Sequence, residues 1–214
     1  MLDADRIAAL LGPFVDASLP ADLAARLQTY LELLLRWNAR TNLSAVRDPE
    51  QIVRRHFGES LFAARILGDA GAFDTAGESP TLSDIGSGAG FPGIPIKLFA
   101  PKVPVTLIES QNKKATFLRE VIRRLNLTDA EVFYGRAETW NRTASTVTLR
   151  AVERFDRVLP VAASLVAAAG TLCLLIGGGQ VGSVQPNLNQ DWSFQNPVFV
   201  PLSQGRVIYV GTRR

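Results

Sequence analysis

Apolar residues recur at helical spacing in the first third of the chain and as short runs punctuated by glycine after it. Leu23, Leu27, Tyr30, Leu31, Leu34 and Leu35 mark one face of a helix over residues 21–37. Ile7, Leu10, Leu11 and Phe14 form a shorter apolar face before it. Asp48-Pro49 reads as a further helix start, with Asp48 as N-cap and Pro49 in the first turn. None of this alternates with strands, so residues 1–77 are expected to form a helical extension packed on the domain made by residues 78–214. From residue 78 the rhythm changes. Strand-like runs at 82–85, 103–109, 131–134, 146–149 and 171–176 are interleaved with helical patterns at 92–99, 111–125 and 160–169, and runs at 194–200 and 206–211 end the chain. Strand–helix alternation with right-handed crossovers predicts an α/β fold over 78–214: one doubly wound, mostly parallel, seven-stranded sheet, its last two strands antiparallel. Ligands of such sheets gather at the carboxyl ends of the strands.

Composition narrows this picture. A chain of 214 residues, 47% hydrophobic and 20% charged, buries a real core and is not disordered. Residues 158–179 carry no charge, but Pro160, Gly170 and Gly177-Gly178-Gly179 cut them into a helix and a strand, so no membrane span is expected. The acidic start, Met1 to Arg6, lacks the basic stretch of a signal peptide, and one cysteine excludes an internal disulfide. Both point to the cytoplasm. A single histidine and a single cysteine leave no metal cluster. The net charge is +3, and arginine makes up most of the 23 basic residues. Guanidinium forks suit phosphates and base edges, although an arginine-rich genome would give the same bias.

The candidate chemistry centres on residues 82–93. A strand-like run leads into Gly86, Gly88 and Gly90, then Phe91-Pro92-Gly93. This reads as strand, tight turn and helix start, with amide groups free to meet an anion. Glu109 ends the next strand about 20 residues on, the position from which an acid holds ribose hydroxyls. Phe91 stands where a dinucleotide fingerprint needs its third glycine. That disfavours NAD and favours a nucleoside cofactor without a diphosphate, S-adenosylmethionine above all. Upstream, Arg36, Arg40, Arg47, Arg54, Arg55 and Arg65 outnumber Asp48, Glu50 and Glu59. A solvated helix face explains part of this charge; a basic ledge for RNA phosphates explains the rest.

Two strings carry a resemblance. Asn42-Leu43-Ser44-Ala45-Val46-Arg47-Asp48-Pro49, followed by Arg55-His56, precedes Asp84-Ile85-Gly86-Ser87-Gly88-Ala89-Gly90-Phe91-Pro92-Gly93-Ile94-Pro95. Together they resemble the bacterial GidB/RsmG family, S-adenosylmethionine-dependent methyltransferases of guanine N7 in small-subunit ribosomal RNA. The resemblance implies a cofactor loop of Asp84, Gly86, Gly88, Gly90 and Phe91, with Glu109 on the ribose and Ala137-Glu138 lining the adenine. It implies that Arg150 sits beside cofactor and target base, as a positioning group rather than a base. It implies that Asn42, Arg47, Arg55 and His56 form an RNA ledge, joined by Arg206. Two positions depart from the family. Ile176 stands where many members have lysine, which implies either weaker RNA binding or compensation by an arginine such as Arg206, and Leu149 replaces a small polar residue.

The reaction so implied fits what is missing. Guanine N7 has an in-plane lone pair and needs no general base. Methylation of pyrimidine C5 needs a thiolate, and Cys173 lies in an apolar run. The Asn/Asp-Pro-Pro-aromatic loop of amino-group methylation and the clustered carboxylates of metal-dependent O-methylation are both absent. Two other readings stay open: a small-molecule methyltransferase on the same fold, and a cofactor-binding module without turnover. The expected partner is ribosomal RNA or the small subunit, with no membrane, no obligate protein partner and a monomeric state.

Overall fold

Capping sets the N-terminal helices of the computed structural model, which describes residues 2–15, 17–74, 79–150, 155–188 and 191–214. Helix α1 (Ala4–Leu11) starts where the Asp3 side chain accepts from the Arg6 amide at 2.8 Å. Helix α2 (Ala21–Thr41) outruns its predicted end at residue 37 and stops at Asn42, whose φ of 46° is left-handed. Helix α3 (Pro49–Ile52) begins as expected, with the Asp48 carboxylate on the Gln51 amide at 2.8 Å. It passes through a π-helical segment, Val53–Gly58, into α4 (Glu59–Asp69). Such segments are rare and recur at functional sites; this one carries Arg54, Arg55 and His56.

The sheet contains β1 (Leu82–Ile85), β2 (Val105–Glu109), β3 (Ala130–Tyr134), β4 (Ala144–Arg150), β5 (Val166–Gly177), β6 (Trp192–Phe194), β7 (Val198–Phe199) and β8 (Arg206–Arg213). The order is β3-β2-β1-β4-β5-β8-β6, with β7 also on β8. The first five strands are parallel, and β8 runs antiparallel to β5. Chain order reverses between β1 and β4, which is where such sheets open a crevice. The predicted count of seven strands fails at 194–200. Pro197 has no amide hydrogen for the ladder, and the run divides into β6 and β7, giving eight strands.

A second correction concerns residues 160–169. Helix α7 is Phe155–Ser164, with Pro160 inside it, and β5 already begins at Val166. Alanine favours helix locally, but Val166 pairs with Ala144 and its carbonyl accepts from Arg213 Nη1 at 2.7 Å. Ladder pairing outweighs propensity there. Helix α5 (Gly93–Phe99) likewise starts one position after Pro92, and α6 is Asn112–Arg124.

Two apolar layers enclose the sheet. Ile7, Leu27, Tyr30, Phe57 and Leu61 from the N-terminal helices join Ile94, Phe117 and Leu118 over one face, against Leu107, Leu175 and Ile208. Phe155, Leu159 and Val184 cover the other, against Ile108, Leu149, Leu174 and Ile176. The N-terminal helices thus share a core with the sheet rather than enclosing one of their own. Cys173 is wholly buried and its thiol is pushed up to about 12 by burial, which leaves it inert. No helix among the described residues is long and apolar enough to cross a membrane.

Candidate active site

The turn after β1 is built by three glycines with φ of 65°, 59° and 91° at Gly86, Gly88 and Gly90. At Gly90 the conformation and the space both demand glycine: a Cβ would stand 2.5 Å from Tyr30 Oη and from Ile94 Cδ1. The Tyr30 hydroxyl donates to the Ala89 carbonyl, and burial raises its pKa far enough to keep it a donor. Helix α2 therefore clamps the glycine loop from above. From below, Asp84 is fully buried, with Oδ1 accepting from Thr148 Oγ1 at 2.8 Å and Oδ2 from the Gly93 amide at 3.2 Å. Burial pushes its pKa up to about 6 despite these bonds. Glu109 closes the third side. Its Oε2 accepts from Gly88 N–H at 2.9 Å and its Oε1 from Gln111 N–H at 2.7 Å.

A cleft of about 480 Å³ opens at the carboxyl ends of β1 and β2. Gly86 and Glu109 form its floor, Ile85, Ile108, Val158 and Val161 give it apolar walls, and Ala137 and Glu138 line its far side. Lys114 also reaches it. The structure thus brings Gly86, Glu109, Ala137 and Glu138 to one cleft. Asp84, Gly88, Gly90, Phe91 and Arg150 are not among its lining residues: Asp84 braces the loop from within, Gly88 and Gly90 shape the turn, Phe91 is buried in the core, and Arg150 faces elsewhere.

Arg150 faces a second cleft, of about 740 Å³, formed where the π-helical segment meets β4 and the loop before β8. Arg54, Arg55, Arg150, Arg206 and His56 line it. Phe91 is buried in the core behind His56 and Arg150. The ring stacks on Tyr30 at 5.3 Å, lies 5.0 Å from the His56 ring, and has the Arg150 guanidinium 5.9 Å above it. Arg150 Nη2 donates to the Arg55 carbonyl at 2.9 Å, to His56 Nδ1 at 2.9 Å and to Glu59 Oε2 at 3.1 Å. Arginine only donates, so Nδ1 is the acceptor and Nε2 carries the proton toward Ser44 Oγ, 2.8 Å away. Burial, then the Arg150 charge, pushes His56 down to about 3. It is a neutral strut.

Glu59 is the residue that sequence reasoning passed over. As a helix-face acid it was expected in solvent, yet it is 4% exposed, and its Oε1 accepts from Arg206 Nε at 3.1 Å and also from Arg206 Nη2. One carboxylate on α4 thereby joins arginines from β4 and β8. Asn38 is a second omission: its side chain exchanges two 2.9 Å bonds with the Ser44 backbone and fixes the loop that ends α2. Of the expected ledge, Arg55, His56 and Arg206 enter the cleft. Asn42 and Arg47 lie outside it, bonded to each other at 2.8 Å on the exposed surface. Ile176 and Arg206 stand on opposite faces of the sheet, so Arg206 does not occupy the place of the family lysine. Ile176 is 2% exposed and pairs with Val207 on the α7 face, while Arg206 projects to the opposite one. Leu149 is wholly buried in that same α7-side layer.

Comparison with known proteins places the chain in a family. Residues 23–202 match the family described as GidB, rRNA small subunit methyltransferase G. A protein of Xanthomonas campestris pv. campestris strain B100, named ribosomal RNA small subunit methyltransferase G, is 39% identical over 199 residues, covering 86% of this chain and 89% of the relative. A namesake in Chloroflexus aggregans is 37% identical over 201 residues, covering 88% and 81%. Among solved structures, magnesium protoporphyrin IX methyltransferase from Synechocystis PCC 6803 superposes with a TM-score of 0.65 at 13% identity, over 86% of this chain and 97% of that one, a likeness of fold alone. The chain belongs to the GidB family, the rRNA small subunit methyltransferase G family.

Proposed function

We propose that the protein transfers the methyl group of S-adenosylmethionine to N7 of a guanine in small-subunit ribosomal RNA. The observation that carries this reading is the pair of clefts at the carboxyl ends of the sheet, one suited to a nucleoside and one lined by arginines, Arg150 among them. The names of the relatives support the substrate class.

The residues of the first cleft fit the cofactor. Glu109 uses one acceptor site of each carboxylate oxygen on backbone amides and keeps others for ribose hydroxyls. Ile85, Ile108, Val158 and Val161 offer apolar walls to an adenine, and Ala137 and Glu138 its edge. When bound, S-adenosylmethionine supplies an electrophilic methyl group on a sulfonium. The chain then has to orient the base and exclude water. N7 attacks with its own lone pair, so no side chain need take a proton. That agrees with His56, which is held neutral with both ring nitrogens engaged. Arg150 is the positioning group. Its Nη2 is held by the Arg55 carbonyl, His56 Nδ1 and Glu59 Oε2, which fixes the guanidinium at the wall of the second cleft. Arg54, Arg55 and Arg206 would meet the RNA phosphates.

The test is transfer of labelled methyl from S-adenosylmethionine to small ribosomal subunits from a strain lacking the modification, beside a metabolite extract. Label in the ribosomal RNA alone is expected. Label in a metabolite alone would replace this reading with the small-molecule methyltransferase. Cofactor binding without any transfer would leave the binding module.

A further inference from the structure

The arginine-lined cleft has a second wall with no charge. Phe14, Ala45, Val46, Val200, Pro201 and Leu202 form it, lining the same cleft as the arginines. Between Gln195 and Gly205 the chain has no charged residue at all. Leu202 stands out on two independent counts. It is 69% exposed, one of five large apolar side chains left in solvent among the described residues. It also holds φ at 55°, in the left-handed region that disfavours a branched apolar side chain.

The loop around it is nevertheless firmly built. Ser203 Oγ donates to the Val200 carbonyl at 2.8 Å and accepts from the Arg206 amide at 3.3 Å. Val200 N–H donates to the Arg206 carbonyl at 2.9 Å, and Gly205 accepts from Gly178 N–H at 2.7 Å. Leu202 is thus displayed on a preorganised turn at the rim of a basic cleft, where glycine would fit with less strain. Strain retained at a ligand-facing position is an expected mark of function.

We propose that Leu202 is a specificity-determining platform for the nucleobase next to the target guanine. Single-stranded RNA suits this occupant. Its phosphates complement Arg54, Arg55, Arg150 and Arg206, and an unstacked neighbouring base offers an apolar face for the Leu202 side chain. Leu202 would hold the splayed strand open while the guanine enters toward Arg150. The inference rests on the RNA substrate proposed above.

The test uses the full chain and Leu202→Gly. Glycine accepts the backbone conformation, so the melting temperature should hold or rise, and S-adenosylmethionine affinity should not change. Affinity for a protein-free RNA oligonucleotide carrying the guanine should fall about five- to tenfold. An abasic nucleotide beside the guanine should cost the wild type a similar factor and cost the variant almost nothing. Phe199 is equally exposed at 69%, but its pairing with Val207 puts it on the other sheet face, so Phe199→Ser should leave RNA affinity unchanged. Equal abasic penalties in wild type and variant would overturn the proposal, as would an equal loss in Phe199→Ser. Loss confined to assembled subunits would overturn it in favour of a protein contact. If wild type binds no RNA, the proposed function itself fails, and the two failures are distinct.

Discussion

Replacing Glu59 by glutamine removes one charge at constant volume and tests the network that holds the second cleft together. Glu59 Oε2 accepts from Arg150 at 3.1 Å and Oε1 from two nitrogens of Arg206. Glutamine keeps one acceptor oxygen and turns the other into a donor facing a guanidinium. Breaking a buried ion pair costs roughly 3–5 kcal/mol. The Arg206 side chain is 29% exposed, so water recovers part of that, and a loss of about 2–3 kcal/mol is expected. In a chain of this length that lowers the melting temperature by about 5–10 °C. Arg150 keeps its bonds to the Arg55 carbonyl and His56 Nδ1, so it should loosen rather than leave. Turnover should fall about tenfold, the usual scale of a small misplacement of a positioning group. The cofactor cleft shares no lining residue with this network, so S-adenosylmethionine affinity should stay within about twofold. Calorimetric melting, cofactor titration and single-turnover methyl transfer read the three effects. A melting temperature within about 1 °C of wild type would refute the network. So would a loss of cofactor affinity with turnover intact.

Tyr30→Phe deletes only the hydroxyl that donates to the Ala89 carbonyl, while the ring stays stacked on Phe91. An orphaned buried carbonyl costs about 1–3 kcal/mol, and S-adenosylmethionine affinity should weaken with it; unchanged affinity by calorimetric titration would refute the clamp on the glycine loop. His56, held at about 3 against an ordinary 6.5, refuses a proton that the unfolded chain accepts. Its contribution is therefore full above pH 6.5 and lost on acidification, by about 2 kcal/mol at pH 5, and His56→Gln should lose less stability than wild type between pH 7.5 and 5. Asp84 acts with the opposite sign. At about 6 against 3.8, the folded state binds the proton first, so its contribution is present below pH 3.8 and lost as pH rises to 6, about 3 kcal/mol in all. The two slopes oppose each other between about pH 4 and 6. Denaturant melts of His56→Gln and Asp84→Asn across that window should therefore diverge, and parallel profiles would contradict both assignments.

The fold was legible because its signals are local. Period and punctuation mark β1, the glycine turn and β2, and a fixed spacing marks Glu109. Where local signals compete with pairing, the reading slipped. The alanines of 166–169 favour helix and lie in β5, and Pro197 divides what the apolar pattern joins. The first cleft was largely readable, since its residues follow consecutive strand ends. The second was not. Glu59 and Arg206 are 147 residues apart, and nothing beside Glu59 distinguishes it from an acid on a solvated helix face. The π-helical turn that seats Arg54, Arg55 and His56 breaks the helical period on which sequence reading depends. Tyr30 was read correctly as core, but the bond from its hydroxyl to the glycine loop exists only in three dimensions.

The most direct test of the central claim is the identity of the methylated atom. Small subunits lacking the modification would be treated with the protein and S-adenosylmethionine, and the RNA digested for nucleoside mass spectrometry with the modified position mapped. Among the described residues the second cleft holds no free base, and His56 is neutral and bonded on both nitrogens, which predicts 7-methylguanosine at one site and no other methylated nucleoside. Methyl on an exocyclic amine, a ribose hydroxyl or a pyrimidine carbon would contradict it, because those atoms need a proton acceptor or a thiolate that the described residues of the cleft do not offer.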